Sequence, residues 1–235
     1  MTNHVARVLI DACLLVKGNV SNVFFDLNHC GLISLHWTPE LARQFVKNWS
    51  KMRVAADGIS ESSGTDAHYR KAFAEKEELA KDRLERFEAM QPEWRVPGWN
   101  LAKDSLWLPP ARFKVGEAYG VHQGDYDVAL AAAKLAKAFP KDEVWLATEN
   151  QKHLPPQIMA KFDVWSINQG KALETLFDDW PDSVLGALLK MRGDSKTPKL
   201  SQQDFVNFVK APGHFGMPAL GDKIDKRWSD NDLAK

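Results

Sequence analysis

Apolar residues along this chain fall into short blocks separated by stretches of helical period, an alternation that predicts an α/β architecture with a parallel sheet. Ala6-Arg7-Val8-Leu9-Ile10-Asp11 is an aliphatic run ending on a carboxylate, as expected of a first strand buried on both faces with Asp11 at its carboxyl end. Between Ser21 and Cys30, Val23, Phe24, Leu27 and Cys30 recur at helical spacing, and Gly31 is placed to stop that helix. Ile33 to Trp37 predicts a second strand. Thr38-Pro39-Glu40 then supplies an N-cap, a proline at the first helical position and an acid in the first turn, with Leu41, Phe45 and Trp49 as the apolar stripe of the helix.

Residues 54–65 are rich in Gly, Ser and Asp and read as a mobile connection. A long helix is predicted from Asp66 to Met90, where Tyr69, Phe73, Ala80, Leu84 and Phe87 form one stripe among charged faces. From Gln91 to Tyr126 the pattern is irregular, with four prolines scattered among Trp94, Trp99 and Trp107. Periodicity returns in a small-residue helix from Asp127 to Ala136, followed by strands at Glu143–Thr148 and Val164–Ile167. Helical patches at Ser183–Met191 and Asp204–Val209 lie beyond. Residues 1–178 therefore read as an α/β body with a helical and irregular insertion around 54–120, and 179–235 as a C-terminal extension packed on it.

Lysine plus arginine equals aspartate plus glutamate at 31 each, so no global positive field draws the chain onto nucleic acid, and any RNA contact must be local. Cys13 and Cys30 lie in or beside apolar runs without metal-type spacing and read as buried, reduced thiols. The apolar stretch Val8–Val16 is interrupted by Asp11 and has neither a cleavage pattern nor a stop-transfer segment, so a cytoplasmic protein with no membrane contact is expected. No Gly-x-Ser-x-Gly, Gly-x-Gly-x-x-Gly or P-loop occurs, which argues against an α/β hydrolase or a dinucleotide- or P-loop-type enzyme. The histidines show no HxxxH or HxH spacing, and the nine tryptophans form no aromatic and basic stripe.

Two carboxylate positions stand out because a parallel sheet would bring them together: Asp11 after the first strand, and Asp127, with Asp125 beside it, at a later helix start. Clustered hard oxygens suit Mg²⁺ or Mn²⁺, although aspartates at strand ends and helix starts equally serve as caps.

Val8-Leu9-Ile10-Asp11-Ala12-Cys13-Leu14-Leu15 resembles the opening strand and acid of the PIN-domain family. Gly31 to Asn48 is similar to its second strand and following helix, Gly124 to Ala132 to its aspartate-led helix, and Val144 to Pro155, with Thr148-Glu149-Asn150, to the strand and loop after it. The resemblance spans roughly residues 6–178. It implies a PIN-like three-layer fold and a metal-dependent endoribonuclease using Mg²⁺ or Mn²⁺, in some members the toxin of a toxin–antitoxin pair. An RNA substrate and an antitoxin protein are then the implied partners, and self-association is allowed. By position, Asp11 matches the first acid. Asp125 and Asp127 are both in register for the third, with Asp127 preferred. Gln44 stands where the second acid is usual and His153 where the fourth is, while Thr148 and Asn150 sit in the matching loop. Glu40, four residues before Gln44 and on the same helix face, can compensate. Two replaced acids also point to an alternative, a catalytically degenerate PIN fold that binds RNA or a protein without cutting.

Overall fold

The computed structural model of the chain describes residues 6–59, 67–100, 123–193, 200–211 and 215–233. Strands β1 (Ala6–Ile10), β2 (Ile33–His36), β3 (Glu143–Ala147) and β4 (Val164–Ile167) form a wholly parallel sheet in the order β2-β1-β3-β4. Helices cover both faces, the α/β arrangement that the block pattern predicts. A parallel sheet has no solvated face, and β1, β2 and β3 are accordingly buried along almost their whole lengths. Arg7 is tolerated inside β1 because its guanidinium lies 3.4 Å from the Phe139 ring centroid and its Nε donates to Asp142 at 2.6 Å.

After β1 come the short α1 (Ala12–Leu15) and α2 (Gly18–His29), which buries Val20, Val23, Phe24 and Leu27. Gly31, at φ 77°, takes the left-handed turn that sends the chain from α2 into β2. Thr38 caps α3 (Pro39–Ala56) as its sequence predicts, Oγ1 accepting from Leu41 N at 3.2 Å. Helix α3 packs along α4 (Ala67–Met90), whose Ala72, Ala80 and Phe87 are buried while Tyr69, Phe73 and Leu84 are half-buried.

Several boundaries differ from the sequence expectation. Helix α3 runs three residues into the expected connection because Val54 is fully buried, and residues 60–66 lie outside the described residues. Part of the irregular middle is ordered: Trp37 N donates to Trp94 O at 2.9 Å, and the two indoles stack with centroids 5.0 Å apart. Trp107, Pro109, Pro110 and His122 lie outside the described residues. Helix α5 (Gln123–Ala138) starts four residues before Asp127, so Asp125 occupies its first turn. Its Ala129, Ala131 and Ala132 are fully buried, since small side chains let the helix approach the sheet closely.

A short α6 (Pro156–Met159) and a 3-10 turn (Ala160–Phe162) lead into β4, and Asn168 then caps α7 (Gln169–Asp179). Helices α8 (Pro181–Gly193) and α9 (Gln202–Lys210) enlarge the two predicted patches, and α10 (Pro218–Leu233) is an element that the sequence reading does not anticipate. Helix α8 packs on α2, and Lys190 pairs with Asp26 across that contact. Both cysteines are free, but Cys13 is only partly buried and Cys30 is exposed, at the end of α2 where the chain turns outward. No helix among the described residues is long and apolar enough to cross a membrane.

Candidate functional site

The chain leaves β1 toward β2 on one side and returns to β3 on the other, so the carboxyl ends of β1 and β3 form the topological switch point of the sheet. Asp11 follows β1 there, and Thr148 follows β3. The Asp11 amide donates to Ala147 O at 3.0 Å, which fixes the start of the side chain. Asp11 precedes α1 in the N-cap position but makes no side-chain capping bond, so capping does not account for its carboxylate. Instead Oδ2 accepts from the Thr148 hydroxyl at 2.7 Å and from the Cys13 thiol at 3.1 Å, and the residue is 7% exposed. Thr148 Oγ1 in turn accepts from Asn150 N at 2.9 Å, which leaves its single proton for Asp11.

Asn150 carries the network on to α5. Its Nδ2 donates to Asp125 Oδ1 at 2.8 Å, and His153 Nδ1 lies 3.1 Å from Asp125 Oδ2. A carboxylate only accepts, so the hydrogen between His153 and Asp125 sits on Nδ1. The 3.1 Å approach of Asn150 Nδ2 to the same Nδ1 is then proximity within the cluster. Asp125, Asn150 and His153 thus form one group joined to Asp11 through Thr148.

Glu40 and Asp127 form a second group. In the first turn of α3, Glu40 accepts from Trp99 Nε1 at 2.7 Å on Oε2 and from Arg43 at 3.1 Å on Oε1. Glu40 is an acid in the first turn of its helix, and its charge also reaches Asp127. Asp127 has an Oδ1 shut off from solvent with no hydrogen-bond partner. Burial first, and the Glu40 carboxylate second, push the Asp127 carboxyl above its ordinary range. Gln44 lies half-buried one turn further along α3.

Asp127 thus keeps a buried carboxylate oxygen with no partner, close enough to Glu40 to feel its charge although Glu40 itself is engaged by Trp99 and Arg43. Among the described residues no three His, Cys, Asp or Glu side chains gather into a group that could hold a metal ion. Mg²⁺ is commonly held through one or two carboxylates, with water and substrate phosphates completing the shell. Asp127 offers a buried oxygen without a partner, while Asp11 and Asp125 belong to the other group, joined through Thr148 and Asn150.

Two contacts escape sequence reasoning. Cys13 sits two positions after Asp11 and hydrogen-bonds it; burial first and the Asp11 charge second push its thiol up to about 12, so it stays a neutral donor. Its place at the strand-to-helix turn is the available signal. Trp99 reaches Glu40 across 59 positions, and no local pattern announces that. No family model matches the chain, and neither a curated protein nor a solved structure matches it.

Proposed function

We propose that the chain is a divalent-metal-dependent endoribonuclease of the PIN type, acting at the switch point between β1 and β3. The observation that carries this reading is the Asp11 carboxylate: buried, not used as a cap, and held by Thr148 across the crevice where parallel sheets bind ligands. When bound, Mg²⁺ or Mn²⁺ supplies charge neutralisation at the phosphodiester and lowers the pKa of an attacking water. Asp11 and Asp127 would hold the ion, with Asp125 assisting. Thr148 and Cys13 orient Asp11 by donating to one oxygen, which keeps the other directed away from them. Asn150 and His153 hold Asp125, and Trp99 holds Glu40.

The test is cleavage of a mixed RNA pool with added Mn²⁺ or Mg²⁺. The wild-type chain should cut, and Asp11→Asn should lower the rate about 100-fold or more, since even outer-shell changes at metal sites cost 10- to 100-fold. RNA left intact with every divalent ion would end the nuclease reading.

His153 favours a second reading, a degenerate PIN fold that binds RNA or a protein without cutting. It stands in place of an acid and is hydrogen-bonded to Asp125, so one oxygen of that carboxylate is already engaged. Retention of RNA by the wild-type chain without cleavage would select this alternative. An antitoxin partner belongs to the toxin form of the first reading, and co-purification with a small adjacent gene product tests it.

A further inference from the structure

The packed pair α3 and α4 carries three arginines that the acidic site does not use. Arg83, on α4, reaches across to the start of α2, where its Nη2 donates to Asn22 Oδ1 at 3.0 Å and to Ser21 Oγ at 3.4 Å. Its guanidinium carbon stands 4.8 Å from the ring centroid of Phe87, one turn further along α4. Arg83 is thus half-buried and held by neutral groups alone. Arg86 lies one turn along the same helix and engages only its Nε, on Asp82 O at 3.2 Å. Arg53, from α3, rests 5.0 Å from the Trp49 ring centroid. Burial first, then the charges of Arg86 and Arg53, push the Arg83 guanidinium down from its ordinary range. Among the described residues none of the three has an ion-pair partner. The chain has as many acidic as basic side chains, so composition does not force this local want of counter-charge.

The same end of α2 adjoins the acidic site. Lys17, immediately before α2, pairs with Glu149, and Glu149 follows Thr148, the partner of Asp11. A Cβ on Gly18 would lie 3.6 Å from Arg83 Nη2, so α2 begins directly against this arginine.

We infer that Arg83, Arg86 and Arg53 form a subsite for the phosphates of a single-stranded RNA backbone and hold the strand beside the acidic site. The inference rests on the nuclease reading for the identity of the strand, but not for the recognition of phosphate. A guanidinium presents a planar fork of donors that matches phosphate oxygens, and two or three together suit successive groups along a strand. Asn22 and Phe87 pre-organise Arg83; its Nε is shut off from solvent and takes no part, which leaves Nη1 for the ligand. Arg53 and Arg86 are exposed and complete the positive surface. Binding through arginines to the backbone carries no base readout, so it is indifferent to sequence.

Fluorescence anisotropy on the full chain in EDTA, with a labelled mixed-sequence RNA of about twelve nucleotides and salt from about 50 to 200 mM, tests the subsite. Each phosphate contact to a single strand adds about 0.7 to the salt slope. The double variant Arg53→Gln, Arg86→Gln should therefore lose about 1.4 of slope and about tenfold in affinity. Its Tm should change little, because both side chains are exposed. Arg83→Gln should weaken binding as well, and Arg83→Lys, which keeps the charge, should recover most of the lost slope. Lys226→Gln, at an exposed position on α10, should bind as the wild type does. Absence of RNA binding, arginine variants that bind like the wild type, or an equal loss in Lys226→Gln would each overturn the inference. Displacement of the RNA by polyglutamate as readily as by unlabelled RNA would overturn it in favour of an acidic protein partner. A fall in the Tm of Arg83→Gln with slopes unchanged in all variants would assign the arginines to packing alone. Metal-dependent cleavage that the double variant performs as well as the wild type, with unchanged binding, would overturn the subsite and leave the nuclease standing. Arginine-dependent binding by a chain that cuts no RNA would do the reverse.

Discussion

Asp127 is the residue at which the chemistry of the site is most directly measurable. A carboxyl whose folded pKa is raised holds its proton more tightly in the folded chain than in the unfolded one. Its contribution to stability is therefore full below the ordinary carboxylate range and is lost as pH rises through the raised folded value. Ionising this side chain as pH rises therefore lowers the stability of the folded chain. Asp127→Asn is expected to raise Tm at pH 7 and to leave it unchanged below about pH 3, where the wild-type carboxyl is protonated in both states. Thermal denaturation followed by circular dichroism at both pH values checks this. A lower Tm at pH 7 would show that Asp127 is stabilised by a partner.

The same acids depend on elements whose ends are fixed by capping and packing. Glu40 is presented by the first turn of α3, and that turn is set by Thr38, 2% exposed, which accepts from Leu41 N. Removing a buried N-cap leaves the helix start without its acceptor, so Thr38→Ala should cost about 1–2 kcal/mol, read as a lower urea midpoint at unchanged slope. Glu40 would lose its fixed position with it, and divalent-ion affinity should fall as well. On α5, the run of fully buried alanines lets the helix lie close to the sheet and brings Asp125 within reach of Asn150. Asp125 and Asp127 are two positions apart on one helix and so face different partners: Asp125 the loop after β3, Asp127 the start of α3.

At the scale of the molecule, the C-terminal extension is part of the body that supports the site. Helices α8 to α10 bury Val184, Leu188, Met191, Phe205, Val206, Val209, Leu220 and Ile224, and α8 lies on α2. With roughly 1.5–3 kcal/mol for each such side chain, losing even a few of these contacts is comparable to the ~5–15 kcal/mol stability of a domain. A chain ending at Asp179 is therefore expected to lose cooperative unfolding and to bind a hydrophobic dye. The full chain should give coincident urea transitions by circular dichroism and tryptophan fluorescence. A cooperative, dye-free truncated chain would show that residues 1–179 fold alone.

Local periodicity determined the strands, the main helices and the Thr38 cap, because the apolar pattern and cap chemistry are properties of consecutive residues. It also placed Asp11 at a strand end and the acids of α5 at a helix start. The sequence could not say whether the Asp11 side chain caps α1, since its partner Thr148 is delivered by β3 from 137 positions away. For the same reason it left Asp125 and Asp127 in competition, whereas in the folded chain Asp125 accepts from Asn150 and Asp127 keeps a buried oxygen without a partner. The start of α5 and the whole of α10 were missed because their apolar contacts lie on distant elements and leave a weak local period. Patterns along the chain fix which elements form, while the polar partners of a site are set by pairings across the sheet that no neighbouring residue records.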